Sequence, residues 1–248
     1  MATFVLVPGF WLGGWAWEDV AKRLREQGHD VHPVTLTGLG DRAHLASPDV
    51  TLQTHVQDLV NVLEYQDLRD VVLVAHSGGG VPATGAADRA YERIARMVYV
   101  ESGPFPDGVA QLDMSDPAEE ENVRADIEAN GGFCPLPSWE RLGGPGEMFI
   151  AGLGDAERAR MAARAVPEPA DAITASLVAE NQAAVDKLPH TLVSCVFTVD
   201  QVKEYMEQGF FAGMAGKQWT FEYVPTGHWP MFSKPVELAD ALDRIAKA

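Results

Sequence analysis

The sequence predicts an α/β protein, with a mostly parallel central sheet flanked by helices. Over the first hundred residues, short β-branched runs alternate with longer amphipathic stretches, a pattern typical of strands joined by crossover helices. The alternation resumes after residue 190, beyond a proline-rich middle section. With 248 residues, of which 46% are apolar and 22% charged, the chain is long enough to bury one substantial core.

Four strands and two helices are predicted before residue 104. The strands are the apolar runs at residues 4–7, 31–36, 71–75 and 97–100. A first helix is predicted over residues 17–27 and is ended by Gly28. The second follows from apolar side chains that recur on one side of a helix, namely Leu52, Val56, Leu59, Val60 and Leu63.

Residues 104–189 differ in composition from the rest of the chain. They hold 9 of the 16 prolines, and they carry 16 acidic against 6 basic side chains. Helices are predicted over residues 155–165 and 170–184, and no strand is expected among them. We therefore expect a helical cap over residues 104–189, inserted into a core formed by residues 1–103 and 190–248.

The last part of the chain returns to the α/β pattern. It predicts a strand over residues 190–199, a helix from about residue 202 and a strand over residues 219–224. A closing helix is indicated by three apolar residues at i, i+4 and i+7, with a proline suited to its first turn. These residues are Leu238, Leu242, Ile245 and Pro235.

The formal net charge of −17 argues against anionic partners. Such a chain repels phosphate backbones and anionic lipid heads, so neither nucleic acid nor a membrane is an expected partner. The first nine residues carry no basic leader and their apolar run breaks at Pro8, which predicts neither a signal peptide nor a membrane span and places the protein in the cytoplasm. The two cysteines, Cys134 and Cys195, are expected to be packing residues.

The most informative stretch is a β run over residues 71–76 that ends in Ser77 and three glycines. A serine hydroxyl is a poor nucleophile, and an enzyme that uses it must present it on a tight strand-to-helix turn where a base can reach it. The residues two before and two after such a serine must be small, and here they are Ala75 and Gly79. Ser77 is therefore the candidate nucleophile. The alternative is a glycine-rich turn that only packs or holds a phosphate.

The candidate base is His228, in a loop directly after the last predicted strand. His76 adjoins the nucleophile and, being one residue earlier, should point away from a substrate. The remaining histidines are expected to be structural or exposed; they are His29, His32, His44, His55 and His190.

A serine and a histidine of this kind usually act with a third residue, an acid that orients the histidine, and together they form a catalytic triad. This third member should be a carboxylate at a strand end. Asp200 closes the strand predicted over residues 190–199, and it is preferred for its chain order and its spacing to the histidine. Glu101, which ends the strand next to the nucleophile strand, is the alternative acid.

These segments resemble the α/β-hydrolase family, in particular the branch that contains methyl esterases and hydroxynitrile lyases. The likeness runs through residues 4–17, the loop at 35–40, the serine turn and the ending at 227–235. It implies an α/β-hydrolase fold with the cap inserted after the sixth strand, and it requires no metal or organic cofactor. It also implies an oxyanion hole made by the backbone N–H groups of Phe10 and Gly78.

The expected function is that of a serine hydrolase acting through an acyl-enzyme. The predicted substrate is a small neutral carboxylic ester, and a methyl ester or methyl carbamate of an aromatic or heteroaromatic group is the narrower candidate. We call the loop after the first predicted strand, which carries Phe10, the oxyanion loop. Aromatic side chains surround this loop, and another follows the histidine. Of these we expect Trp11 and Trp229 to contact the substrate.

Two other functions remain open. Lyases of this branch cleave a cyanohydrin with the same triad, but they place a lysine directly after the histidine, where this sequence has Trp229. A ligand sensor that keeps the fold without catalysis is the other alternative, and the presence of Ser77, Asp200 and His228 argues against it.

Overall fold

The protein is described here by a computed structural model that covers residues 1–209 and 212–248. Its strands are β1 (Thr3–Val7), β2 (Asp30–Pro33), β3 (Val71–His76), β4 (Ile94–Val100), β5 (Phe133–Cys134), β6 (Glu168–Pro169), β7 (His190–Ser194) and β8 (Trp219–Tyr223). Six of them form one sheet in the order β2-β1-β3-β4-β7-β8, with parallel pairing between neighbours. The predicted α/β class, with a mostly parallel central sheet flanked by helices, is confirmed by this architecture.

Helices lie on both sides of the sheet. They are α1 (Glu18–Glu26), α2 (Leu52–Tyr65), α3 (Gly80–Ala90), α4 (Pro117–Ala129), α5 (Trp139–Gly143), α6 (Asp155–Arg164), α7 (Ala170–Thr174), α8 (Gln182–Val185), α9 (Val199–Glu207), α10 (Pro230–Ser233) and α11 (Pro235–Lys247). Within the described ranges, no helix has the length and apolar character needed to cross a bilayer. The cytoplasmic location stays a prediction.

The core is divided by the sheet into two layers. Successive residues of β1 point to opposite faces, so that Val5 and Val7 pack with α2 and α3 while Phe4 and Leu6 pack with α1 and α11. The apolar side chains of α2 that the sequence pattern singled out are all buried in the first layer. Burial on both faces explains why the strands are continuous apolar runs rather than alternating ones.

Residues 104–189, which we call the cap segment, begin after β4. The expected position after a sixth strand is wrong for this chain, because only four apolar runs in residues 1–103 form strands of the sheet. The segment also contains a short antiparallel pair, β5 with β6, that the sequence analysis did not anticipate. These strands are two residues long and therefore too short to show an alternating pattern.

One predicted helix of the cap segment is interrupted. The stretch over residues 170–184 forms α7 and α8, and between them Leu177 exchanges backbone hydrogen bonds with the chain at residues 108–109. Leu177 is fully buried in the same layer as α2 and α3, while Met161 of α6 is buried in the opposite layer. The cap segment thus contributes side chains to both core layers, and its description as a separate domain stays a prediction.

Candidate active site

Ser77 occupies the sharp turn between β3 and α3. Its backbone has φ of 50°, a left-handed conformation that is uncommon for a residue other than glycine. The turn is tight because its neighbours are small: a Cβ atom added to Gly79 would collide with the carbonyl oxygen of Pro8. Ala75, two positions before the serine, is fully buried within β3. The strand-to-helix geometry therefore presents the hydroxyl at the carboxyl edge of the sheet.

The imidazole of His228 reaches this hydroxyl. Its Nε2 atom lies 2.8 Å from Ser77 Oγ, which is hydrogen-bond distance. The loop that carries the imidazole is fixed by two further bonds: His228 N–H donates to the carbonyl of Phe149 at 2.7 Å, and the carbonyl of His228 accepts from His76 Nε2 at 2.7 Å. His76 thus turns away from the nucleophile and supports the loop of the candidate base from behind.

The side chain of His76 is held neutral by its surroundings. Complete burial lowers the pKa of His76 well below its usual value, and the nearby His228 lowers it further. A neutral ring that donates from Nε2 to a carbonyl has a bare Nδ1, and this atom has no hydrogen-bond partner within the described residues. A Cβ atom on Gly9 would lie 2.7 Å from that nitrogen, so this position of the oxyanion loop must be glycine.

The carboxylate next to the imidazole belongs to Glu101. Its Oε2 atom lies 3.6 Å from His228 Nδ1, on the side of the ring opposite Ser77. The sheet explains this position: His76 pairs with Val100 in the parallel ladder, so the residue that follows each of them leaves the sheet beside the other. The side chain of Glu101 is only 9% exposed.

The second oxygen of Glu101 is also occupied. Oε1 accepts a hydrogen bond from the N–H of Cys195 and another, at 3.1 Å, from the N–H of Val196. These amides belong to the turn that follows β7, so the carboxylate closes that turn as well as facing the imidazole. The contacts of its two oxygens together fix the orientation of the Glu101 carboxylate.

The structure does not bring Asp200 to the imidazole. The predicted strand over residues 190–199 ends at Ser194, and Asp200 lies exposed in the first turn of α9. The helix begins early because Thr198 and Gln201 form a capping box, in which each side chain bonds to the backbone of the other. This signal was present in the sequence and could have corrected the preference for Asp200.

Phe10 and Gly78, the expected oxyanion residues, lie against each other. A Cβ atom on Gly78 would lie 2.5 Å from the ring of Phe10, so the two loops are in direct contact. The hydrogen bonds formed among the described residues leave the Phe10 amide unused. A free amide at this place is able to bind a negatively charged oxygen.

A cavity of about 640 Å³ opens from the serine and the histidine. Much of its wall is apolar, formed by Phe105, Val109, Met114, Met214 and Trp219, and amide groups of Gln111 and Gln182 add polar positions. Its size and mixed lining are those of a small-molecule site. The sequence analysis missed the wall residues of the cap segment, because this segment shows no regular pattern that would place its side chains. Met214 and Trp219, which lie beyond the cap segment, were not predicted to face the site either.

Residues 4–241 match the alpha/beta hydrolase family. The chain belongs to that family. Its sequence is 32% identical over 260 residues to Methylesterase 9 of Arabidopsis thaliana, with 99% of this chain and 98% of that protein covered.

Two further comparisons add detail. A carbendazim hydrolyzing esterase of Nocardioides sp. (strain SG-4G) is 49% identical over 102 residues, which are 41% of this chain and 42% of that protein. An extracellular alpha/beta-hydrolase from a Paenibacillus species superposes with a TM-score of 0.83 at 20% identity, with 98% of each chain covered. The second likeness concerns the fold alone.

Neither of the tryptophans expected to contact substrate lines the main cavity of this hydrolase. Trp229 is buried in the core, with its ring 4.8 Å from that of His228 and roughly perpendicular to it. Trp11 donates a hydrogen bond from its indole N–H to the carbonyl of Cys134 at 3.0 Å, so its ring is held against the cap segment. The sequence showed aromatic residues near the site, but the side-chain directions follow from tertiary packing.

A buried carboxyl, Glu168, lies behind the oxyanion loop and was not anticipated. Desolvation by burial raises the pKa of Glu168 to about 8, and a hydrogen bond from the Trp11 N–H offsets this only in part. His55 Nδ1 is 3.9 Å from its Oε1 atom, but burial also lowers the pKa of His55. Because burial disfavours charge on both groups, we describe this contact as one between neutral side chains rather than an ion pair.

We expect Glu168→Gln to change how stability depends on pH. In the unfolded chain a glutamate ionises near pH 4.3, and in the folded protein at about 8. The stability associated with the neutral carboxyl is therefore fully present below about pH 4 and is lost as the pH rises towards 8. Glutamine does not titrate, so the variant should gain up to about 1.4 kcal/mol per pH unit relative to the wild type across this interval.

Urea unfolding of both proteins at about pH 5, 6.5 and 8 measures this difference. A difference in unfolding free energy that stays constant with pH would contradict the raised pKa.

Proposed function

We propose that the protein is a serine hydrolase that cleaves small neutral carboxylic esters through an acyl-enzyme on Ser77. The observation that carries this proposal is the 2.8 Å contact between Ser77 Oγ and His228 Nε2 at the mouth of a cavity. Such a pair is able to convert a weakly nucleophilic hydroxyl into one that attacks a carbonyl carbon. Carboxylic ester hydrolysis itself follows from the family and from the full-length likeness to a protein named a methylesterase.

In the proposed reaction the proton of Ser77 passes to His228 as the serine oxygen bonds to the ester carbonyl carbon. Glu101 faces the other ring nitrogen and stabilises the imidazolium that forms. The amides of Phe10 and Gly78 bind the oxyanion, and each such donor is worth about 3 kcal/mol in the transition state. The imidazolium then protonates the departing alcohol, and water, activated by the same ring, releases the acid.

The substrate is proposed to be uncharged. The protein has a net charge of −17, and the cavity wall includes Glu101 and Asp186 together with many apolar groups, so an anionic ester would be repelled. The narrower candidate is a methyl ester or methyl carbamate of an aromatic group. It is supported by the relative that hydrolyses carbendazim, a carbamate, and by a wall that contains Phe105 and Trp219.

Replacing the nucleophile should abolish turnover. We expect Ser77→Ala to lower kcat by about a millionfold, because the members of a triad act as one unit. A serine-directed phosphonate should label the wild type at Ser77, as identified by peptide mass mapping, and should not label the variant. Ordinary activity of Ser77→Ala would reject the proposal.

The acid is identified by comparing two variants. Glu101→Gln should lower kcat at least a hundredfold and up to about 10⁴-fold, because the imidazolium loses its charged partner. Asp200→Asn, an equally conservative change on an exposed helix, should stay within about threefold of the wild type. A large loss in Asp200→Asn with a normal Glu101→Gln would reverse the assignment.

Substrate charge is tested with two esters of nearly equal size. Dimethyl terephthalate and the monomethyl terephthalate anion share the aromatic ring and the methyl ester, and we expect kcat/KM to be at least tenfold higher for the neutral diester. Methyl N-phenylcarbamate should be turned over as well. Failure to hydrolyse any of these compounds, together with a rise in Tm on adding them, would favour a ligand sensor instead.

A further inference from the structure

Every polar group of Trp11 is bonded to the cap segment. Its backbone N–H donates to Glu168 Oε2 at 2.9 Å, its indole N–H donates to the carbonyl of Cys134 at 3.0 Å, and its carbonyl accepts from the N–H of Val166 at 3.0 Å. Cys134 and Glu168 are partners in the short β5-β6 pair, so the first two acceptors reach Trp11 from one small element.

Trp11 needs such support because its backbone is strained. It has φ of 66°, and a bulky residue keeps a left-handed conformation only where its surroundings hold it there. It directly follows Phe10, whose amide is the proposed oxyanion donor. Any relaxation of Trp11 would rotate the peptide that joins these two residues and change the backbone angles of Phe10.

Glu168 is an unusual residue for this place. Its side chain is about 2% exposed. Among the described residues, its carboxyl accepts a hydrogen bond from the N–H of Trp11. The other nearby polar group, His55, donates from Nε2 to the carbonyl of Thr37 and leaves a bare Nδ1 facing the carboxyl. Burying a carboxyl is costly, and an apolar side chain would fill the same space without that cost.

Glu168 also borders the oxyanion residues themselves. A pocket of about 10 Å³, roughly the size that one water molecule requires, is lined by Phe10, Gly78, His55 and Glu168 among others. Glu168 therefore shares this small pocket with the two residues whose amides are proposed to bind the oxyanion.

We propose that Glu168 is a positioning residue for the oxyanion hole: its carboxyl, supplied by the cap segment, fixes the Trp11 N–H and thereby the direction of the Phe10 N–H. This inference rests on the proposed function. It means that the oxyanion hole is complete only when the β5-β6 pair of the cap segment is docked on the oxyanion loop.

The test uses substitutions that separate the hydrogen-bond acceptor from the volume of the side chain. Glu168→Met fills the space without accepting a strong hydrogen bond, whereas Glu168→Gln keeps a carbonyl acceptor like that of the neutral acid and replaces its O–H by an NH₂ group with two N–H donors. Glu168→Asp, a smaller change, keeps the carboxyl but withdraws it by one methylene. Asp171→Ala is the matched control, because Asp171 Oδ2 also joins the cap segment to the core by accepting from Leu52 N–H at 2.7 Å, without touching Trp11.

We expect kcat for p-nitrophenyl acetate to fall about 10- to 100-fold in Glu168→Met and at least fivefold in Glu168→Asp, with KM within threefold of the wild type. Glu168→Gln and Asp171→Ala should keep kcat within threefold. A loss confined to kcat and restored by glutamine is not what general loosening of the cap segment would give. If Glu168→Met does not fold, the aspartate variant decides the question.

Three results would overturn the inference. They are a wild-type kcat in both Glu168→Met and Glu168→Asp, an equal fall in Asp171→Ala, or no rescue by glutamine. Ser77→Ala is measured in parallel: if it keeps wild-type turnover, the proposed function fails, whereas an inactive Ser77→Ala with unaffected Glu168 variants rejects the role of Glu168 alone.

Discussion

The register between β3 and β4 is the constraint on which the candidate site depends. Because His76 pairs with Val100, Ser77 and Glu101 emerge side by side from adjacent parallel strands. Both residues have positive φ, 50° and 47°, so each chain turns sharply at the same edge of the sheet. A shift of one residue would direct each side chain to the opposite face, and the imidazole could no longer lie between the hydroxyl and the carboxylate.

The other two components of the site are held by the cap segment. The loop of His228 is bonded to Phe149 through the histidine N–H and to Ala151 through the N–H of Gly227. Gly227 lies so close to this segment that an added Cβ would be 2.7 Å from the Ala151 nitrogen. The oxyanion loop is bonded to it through Trp11. The sheet therefore positions the proposed nucleophile and acid, while the cap segment positions the proposed base and the oxyanion loop.

This division explains how much the sequence could predict. The strands and the turn at Ser77 are local features. Apolar runs predict the strands, and small residues at fixed spacing predict the turn. The choice between Asp200 and Glu101 depends on where β7 ends, and the local sign of that end is the Thr198–Gln201 capping box that begins α9. The position of Glu168 depends on contacts with residues more than a hundred positions away, which no local pattern records.

A cap segment that holds the loops of the proposed base and oxyanion hole cannot vary the cavity wall independently of the proposed chemistry. The cavity wall residue Val109 lies in the segment that exchanges backbone hydrogen bonds with Leu177, and Leu177 is buried against the core. A change in the wall is thus transmitted through closely packed groups that have little room to relax. Substitutions that enlarge the cavity will preserve the rate of the chemical step only where they leave the Trp11 and His228 contacts undisturbed. Met114 lines the cavity and has a largely exposed side chain, so a substitution there changes the wall with the least disturbance of these packed groups.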